Sequence, residues 1–191
     1  MKTVSTANQL RGRAIGSIFF AAFGAVWILL ALYARQTLTA ITFSATLLGA
    51  FVLVLGALQL LRQAKRWPLV ADDPVMARRF TGINVLQSVA ISIVVVSFAR
   101  FHIDAYVMNA ITAIVGLHLF PLARLFRYPL HYASGALLVT WALLSALFVP
   151  ADQLQSVTAS GTGLILWLSS TVTLLLAMQA ARQPANVLER T

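Results

Sequence analysis

Long apolar stretches separated by short polar ones run along most of the 191-residue chain. Each stretch has about the 20 residues that an α-helix needs to cross the apolar core of a bilayer. The pattern therefore predicts an all-α membrane protein with six transmembrane helices, over residues 14–34, 38–61, 75–99, 105–122, 130–149 and 158–181. Residues 1–13 and 182–191 are predicted to lie outside this domain of residues 14–181, and residues 151–156 to form a short interfacial piece.

The composition agrees with a membrane environment. Hydrophobic residues make up 60% of the chain and charged residues only 10%, whereas soluble domains carry about 25% charged residues. The net charge of +9 comes from basic residues at the ends of the apolar stretches, so it indicates anionic lipid and not nucleic acid as the partner. Cysteine is absent, which excludes disulfides, thiolate metal sites and thiol nucleophiles. No enzyme activity, cofactor or metal site is predicted.

The distribution of basic residues predicts the orientation. Basic residues concentrate on the cytoplasmic side of bacterial membrane proteins. With the N-terminus inside, 12 of the 14 fall on that side: Lys2, Arg11, Arg13, Arg62, Lys65, Arg66, Arg78, Arg79, Arg124, Arg127, Arg182 and Arg190. Only Arg35 and Arg100 fall outside. We therefore expect a protein of the bacterial cytoplasmic membrane with both termini in the cytoplasm.

The three inward-running helices end alike, at Leu58–Arg62, Ala123–Arg127 and Met178–Arg182. Such endings are compatible with three repeated helical hairpins. The preference for basic residues on the cytoplasmic side would also place arginine at these inner ends without any repeat. Both interpretations remain open.

The first hairpin, with Ile15-Gly-Ser-Ile-Phe-Phe-Ala-Ala-Phe-Gly24 and Leu47-Leu-Gly-Ala-Phe-Val-Leu-Val-Leu-Gly-Ala-Leu-Gln59, resembles the HdeD-like bacterial acid-resistance membrane proteins. The resemblance covers roughly a third of the chain and its motifs are spaced small residues. It implies six helices arranged as repeated hairpins, glycine near the middle of each helix, and a role in stress tolerance.

Glycines recur at helical spacing. Gly12, Gly16 and Gly24 are separated by multiples of four, Gly49 and Gly56 by seven, and Gly161 and Gly163 open the last span. Small residues at such spacing let helix backbones approach closely in a membrane. We therefore expect Gly24 and Gly56 at helix contacts, within the bundle or between protomers.

Two polar stripes mark the third and fourth spans. The third carries Thr81, Asn84, Ser88 and Ser92, and the fourth carries Asn109 and Thr112, each set on one helix face. An unpaired polar group in hydrocarbon costs several kcal/mol, so we expect the two stripes to face each other. They represent either interhelical hydrogen bonding or the lining of a polar path or pocket.

His118 lies inside the fourth span, off the polar stripe and near Pro121, whose missing N–H frees the Leu117 carbonyl. Three roles are open: support of the backbone at that proline, haem ligation together with His131, and gating or proton relay. At the outer ends, Arg35, Arg100, His102 and Asp104 form a charged cluster. It represents either a capped, solvated helix start or a pH-responsive group.

Two classes of function remain. One is a non-catalytic membrane protein that acts through packing, stress tolerance, or binding of lipid, a membrane partner or a second copy of itself. The other is a small-solute transporter or channel that uses the interface of spans three and four. The sequence places no carboxylate at mid-membrane depth, and such groups mark most proton-coupled transporters. The first class is therefore favoured.

Overall fold

A computed structural model describes residues 7–65 and 74–182. Within these ranges the protein is helical, without strands, and a short 3₁₀ turn at Asp104–Tyr106 leads into the fourth helix. The six helices are α1 (Ala7–Ala34), α2 (Ala40–Ala64), α3 (Pro74–Arg100), α4 (Val107–Phe126), α5 (Leu130–Phe148) and α6 (Ala151–Arg182).

All six helices are long and apolar enough to cross a membrane. The prediction of an all-α protein with six helices long and apolar enough to span a membrane is thus confirmed for the described residues. Residues 151–156, predicted to form a short interfacial piece before the last span, are continuous with that span and form the first turns of α6. Pro150 precedes that helix, and Asp152 places a negative charge in its first turn, where the helix dipole favours one.

The helices pack around a core of α1, α4, α5 and α6. The contact between α1 and α6 is the most extensive, followed by that between α4 and α5. α2 packs on one side of the core against α1 and α6, whereas α3 packs on the other side mainly against α4. None of the residues of α3 is buried, so α3 is the most peripheral of the six helices.

Successive helices are antiparallel, and so are α1 and α6, because the pairs Ser17–Ser170 and Ala21–Trp167 run in opposite directions along the two helices. The starts of α1, α3 and α5 therefore lie at the same end of the bundle as the ends of α2, α4 and α6. We call this the basic end. Its basic residues with described side chains are Arg11, Arg13, Arg62, Lys65, Arg78, Arg79, Arg124 and Arg127, and α6 ends there at Arg182.

Glycines bring the core helices together. A Cβ on Gly135 of α5 would lie 2.6 Å from the Gly116 carbonyl oxygen of α4, and a Cβ on Gly163 of α6 would lie 2.8 Å from the Gly24 carbonyl oxygen of α1. The predicted contacts of Gly24 and Gly56 are both present, against α6. A Cβ on Gly12, by contrast, would have no neighbouring atom within 4 Å.

Two half-buried tryptophans, Trp167 and Trp141, lie against glycines and donate hydrogen bonds to backbone. Trp167 packs between Gly24 and Gly49, and its Nε1 donates to the Ala21 carbonyl oxygen at 3.0 Å. Trp141 packs on Gly161, and its Nε1 donates to the Thr158 carbonyl oxygen at 3.1 Å. Each indole thus fills the space of a missing side chain while keeping its N–H paired.

Three helices end in the same way without glycine. Gln36, His102 and Arg127 have φ of 57°, 56° and 49°, in the left-handed region that glycine usually occupies after a helix. The following residue in each case donates its backbone N–H to the carbonyl five residues earlier, from Thr37 to Leu32, Ile103 to Phe98 and Tyr128 to Ala123, at 2.9–3.0 Å. These are Schellman motifs, and they end α1, α3 and α4.

Candidate functional site

The polar residues of α4 are buried and bond to α5 and α6. The Asn109 amide nitrogen donates to Ser145 Oγ at 2.8 Å and to the Ala142 carbonyl oxygen at 3.1 Å. The Thr112 hydroxyl pairs with the Thr162 hydroxyl at 2.9 Å. The predicted pairing of this stripe with α3 is therefore wrong.

The polar residues of α3 bond to their own helix. Thr81, Asn84, Ser88 and Ser92 each donate to the backbone carbonyl four residues earlier, at 2.8–3.1 Å. The half-buried residues of α3 lie mostly on the side toward α4; they are Ile83, Asn84, Gln87, Ala90, Ile91, Val94, Ser97 and Phe98. At 100° per residue, the centre of the stripe lies roughly 120° away from the centre of that side, and Asn84 lies at the edge of both. Helical spacing shows that the four residues share a face, but it does not show which neighbour the face meets.

A polar seam absent from the sequence predictions runs along α6 between α4 and α5. Thr158 donates to Ser145 at 3.1 Å, Ser169 pairs with Ser134 at 2.8 Å, and Thr173 accepts from the Tyr128 hydroxyl at 3.3 Å. The seam residues of α6 are Thr158, Thr162, Ser169 and Thr173, spaced 4, 7 and 4. That spacing was the available signal for a shared face.

The seam is closed near its middle by apolar side chains. Leu138 of α5 and Leu166 of α6 are 0% and 2% exposed, and Leu166 lies between the Thr162 and Ser169 levels of α6. The hydroxyls on both sides of them are paired with each other. The seam therefore joins the helices and offers no continuous polar path.

The two histidines near the turn between α4 and α5 lie close enough to interact electrostatically, but their described contacts differ. His118 is partly buried and lies against the backbone of Ile83 in α3. His131 contacts Phe20 and Tyr128 edge-on, with ring centroids 5.7 and 5.1 Å apart, and its Nδ1 is buried without a hydrogen-bond partner. The Arg13 guanidinium lies 4.9 Å from the centre of the Tyr128 ring. Within the described residues, no group of three or more His, Asp or Glu is placed to hold a metal ion.

The four residues of the predicted outer cluster are exposed at the end of the bundle opposite to the basic end. Arg35 and Arg100 end α1 and α3 or follow them directly, and His102 is one of the left-handed residues. The backbone carbonyl of Asp104 accepts a hydrogen bond from the Gln155 amide of α6 at 3.1 Å. The described contacts at this end thus involve the backbone of Asp104 and tie the 3₁₀ turn to α6.

An open groove lies between α1 and α3. It has a volume of about 460 Å³ and is lined by Phe19 of α1 and by Phe80, Thr81, Asn84, Val85, Ser88 and Val89 of α3. Three of the four residues in the predicted α3 stripe therefore lie together, in a groove at the surface that would face the membrane. This groove is the candidate functional site.

No protein-family model, curated protein or solved structure matches the chain. The described residues define the class of protein by their fold. They form six helices long and apolar enough to cross a membrane, as in an integral membrane protein.

Proposed function

We propose that this is a non-catalytic protein of the bacterial cytoplasmic membrane that binds anionic membrane lipid at its basic end, with both termini in the cytoplasm. The only described carboxylates are Asp104 and Asp152, both at the opposite end. The basic end thus offers at least eight cations to the membrane surface with no described carboxylate to neutralise them. An arginine or lysine near an anionic surface contributes about 1 kcal/mol of attraction.

The observation that supports this proposal best is the arrangement of polar groups across the bundle. Inside, they are paired across helices and interrupted by Leu138 and Leu166; outside, they line a groove open to lipid. This arrangement favours binding of a membrane component over conduction of a solute. The similarity of the first hairpin to HdeD-like proteins adds stress tolerance as the proposed setting.

The alternative is a small-solute transporter or channel at the interface of α3 and α4. Gln87 favours it, as the amide nearest the centre of the side of α3 that meets α4. Its neighbours Ile83, Ala90, Ile91 and Val94 are apolar, however, so this interface offers little to a polar solute. Loss of a cellular uptake phenotype in Gln87→Leu, with lipid binding unchanged, would favour transport.

The test compares thermal unfolding in micelles supplemented with phosphatidylglycerol or phosphatidylcholine. We expect phosphatidylglycerol to raise the Tm more, because it alone offers net negative charge to the basic end. Replacing Arg11, Arg62, Arg78, Arg79 and Arg124 together by glutamine should remove the difference. The matched control is the double variant Arg35→Gln/Arg100→Gln, altered at the opposite end of the bundle. This variant should retain the difference in Tm between the two lipids. Equal stabilisation of the unaltered protein by both lipids would contradict the proposal.

A further inference from the structure

The wall that α3 contributes to the groove continues to the basic end and ends in arginine. Thr81, Val85 and Val89 line the groove, and Arg78 extends their row with a spacing of 3, 4 and 4, which keeps all four on one helix face. Arg79 lies about 100° around the helix from Arg78. Arg78 is therefore the arginine of α3 on the groove side, and Arg79 is a natural control.

On the α1 side, Phe19 lines the groove. Arg11 lies eight residues earlier and about 80° around the helix, so it flanks the α1 wall without continuing its face. Arg11 and Arg78 each lie four residues after the first residue of their helix. The groove thus opens toward the basic end beside Arg78.

We propose that the groove holds one acyl chain of an anionic phospholipid, whose phosphate is bound by Arg78. This assignment rests on the proposed function and gives it a defined site. Arginine presents paired N–H groups that suit phosphate oxygens, and Arg78, at an end with no described carboxylate, complements an anionic headgroup.

The lining of the groove suits an acyl chain. The groove has a volume of about 460 Å³, and four of its seven lining residues, Phe19, Phe80, Val85 and Val89, are apolar. An acyl chain can lie against Thr81 and Ser88 without leaving a hydroxyl unpaired, because each already donates to a backbone carbonyl. Asn84 uses its amide nitrogen once, toward Phe80. Its second N–H is a donor for an ester carbonyl of the lipid.

The experiment uses the full chain in phosphatidylcholine vesicles that contain a small fraction of phosphatidylglycerol with a photoreactive diazirine on its acyl chain. After illumination, mass spectrometry maps the modified residues. We expect adducts on Phe19, Val85 and Val89 in preference to Leu86, although Leu86 is 71% exposed and Val89 only 49%. The same diazirine on phosphatidylcholine should label the groove less.

Two pairs of variants test the assignment. Arg78→Gln should lower groove labelling by phosphatidylglycerol about fivefold, the change that corresponds to about 1 kcal/mol for one arginine at an anionic surface; Arg79→Gln should leave it unchanged. Val89→Trp should block the groove and reduce its labelling, whereas Leu86→Trp, at a similar depth on another face, should not. Because Arg78 is exposed, its replacement keeps the test valid if the tryptophan variants do not fold.

Four results would each overturn the groove assignment. The first two are labelling spread evenly around α3 and equal labelling by both lipids. The other two are equal effects of Arg78→Gln and Arg79→Gln, and cross-linked dimers in place of lipid adducts. These results are distinct from failure of the proposed function. If phosphatidylglycerol still stabilises the protein through its basic end, only the site in the groove is wrong.

Discussion

Asn109 and Asn84 show two ways in which an amide is held within a membrane-spanning helix. Asn109 is 5% exposed and bridges α4 to α5 through Ser145 and the Ala142 carbonyl. Asn84 is more exposed and bonds to the preceding turn of its own helix. The same residue type thus joins two helices in one case and lines a lipid-facing groove in the other. The difference lies in the neighbouring helix, not in the residue.

The first prediction at this scale concerns the cost of losing these polar groups. Asn109→Leu should lower the free energy of unfolding by about 1–2 kcal/mol, because membrane interhelical hydrogen bonds average about 0.6 and reach about 1.7 kcal/mol. Ser88→Ala should change it by less than about 0.5 kcal/mol, as is usual for surface substitutions, because its hydroxyl bonds only within α3. Denaturation of the purified variants in mixed micelles measures both. Equal losses in the two variants would contradict the assigned roles.

The sequence predicted which polar residues share a helix face, since that follows from spacing alone. It did not predict that Asn109 and Thr112 meet α5 and α6, because the pattern of one helix carries no information about the identity of its neighbour. Hydroxyls on α6, such as Thr162, were overlooked for a related reason. Serine and threonine satisfy themselves by bonding to their own helix, so their presence in an apolar stretch does not by itself indicate a partner.

At the scale of the helix, the apolar stretches predicted all six elements because length and hydrophobicity determine whether a helix spans a bilayer. The way the helices end was harder to predict. Glycine usually marks a Schellman motif, and Gln36, His102 and Arg127 occupy that position instead. Glutamine, histidine and arginine at these positions do not by themselves predict a left-handed backbone.

A second prediction follows from these helix ends. Gln36→Gly should leave stability unchanged or raise it by up to about 1 kcal/mol, because glycine adopts positive φ without the cost borne by other residues. Gln59→Gly provides the control, since Gln59 lies inside α2, where glycine costs about 1 kcal/mol. The Tm of each variant in one detergent gives the comparison. A loss at Gln36 as large as that at Gln59 would show that the left-handed backbone there is not retained.

At the scale of the whole molecule, the antiparallel order of the helices gathers eight basic residues with described side chains at one end. The proposed orientation places this end in the cytoplasm. Because the natural chain has no cysteine, single cysteines report sidedness without background. We expect Asp152→Cys to react with a membrane-impermeant maleimide in intact cells, and Lys65→Cys to react only after permeabilisation. The reverse pattern would place the basic end outside and contradict the proposed topology.

The pairing of α1 with α6 has a consequence for biosynthesis. Trp167 donates to Ala21 across 146 residues of sequence, and Ser170 donates to Ser17 across 153. At about 5–20 residues per second, the ribosome needs several seconds to tens of seconds to deliver these partners after α1 has been made. During that interval, the surface of α1 at Gly24 lies in the bilayer without the Trp167 indole that later packs against it. The core of this protein therefore closes only when its last helix leaves the translocon, and quality control has that whole interval in which to recognise an incomplete chain.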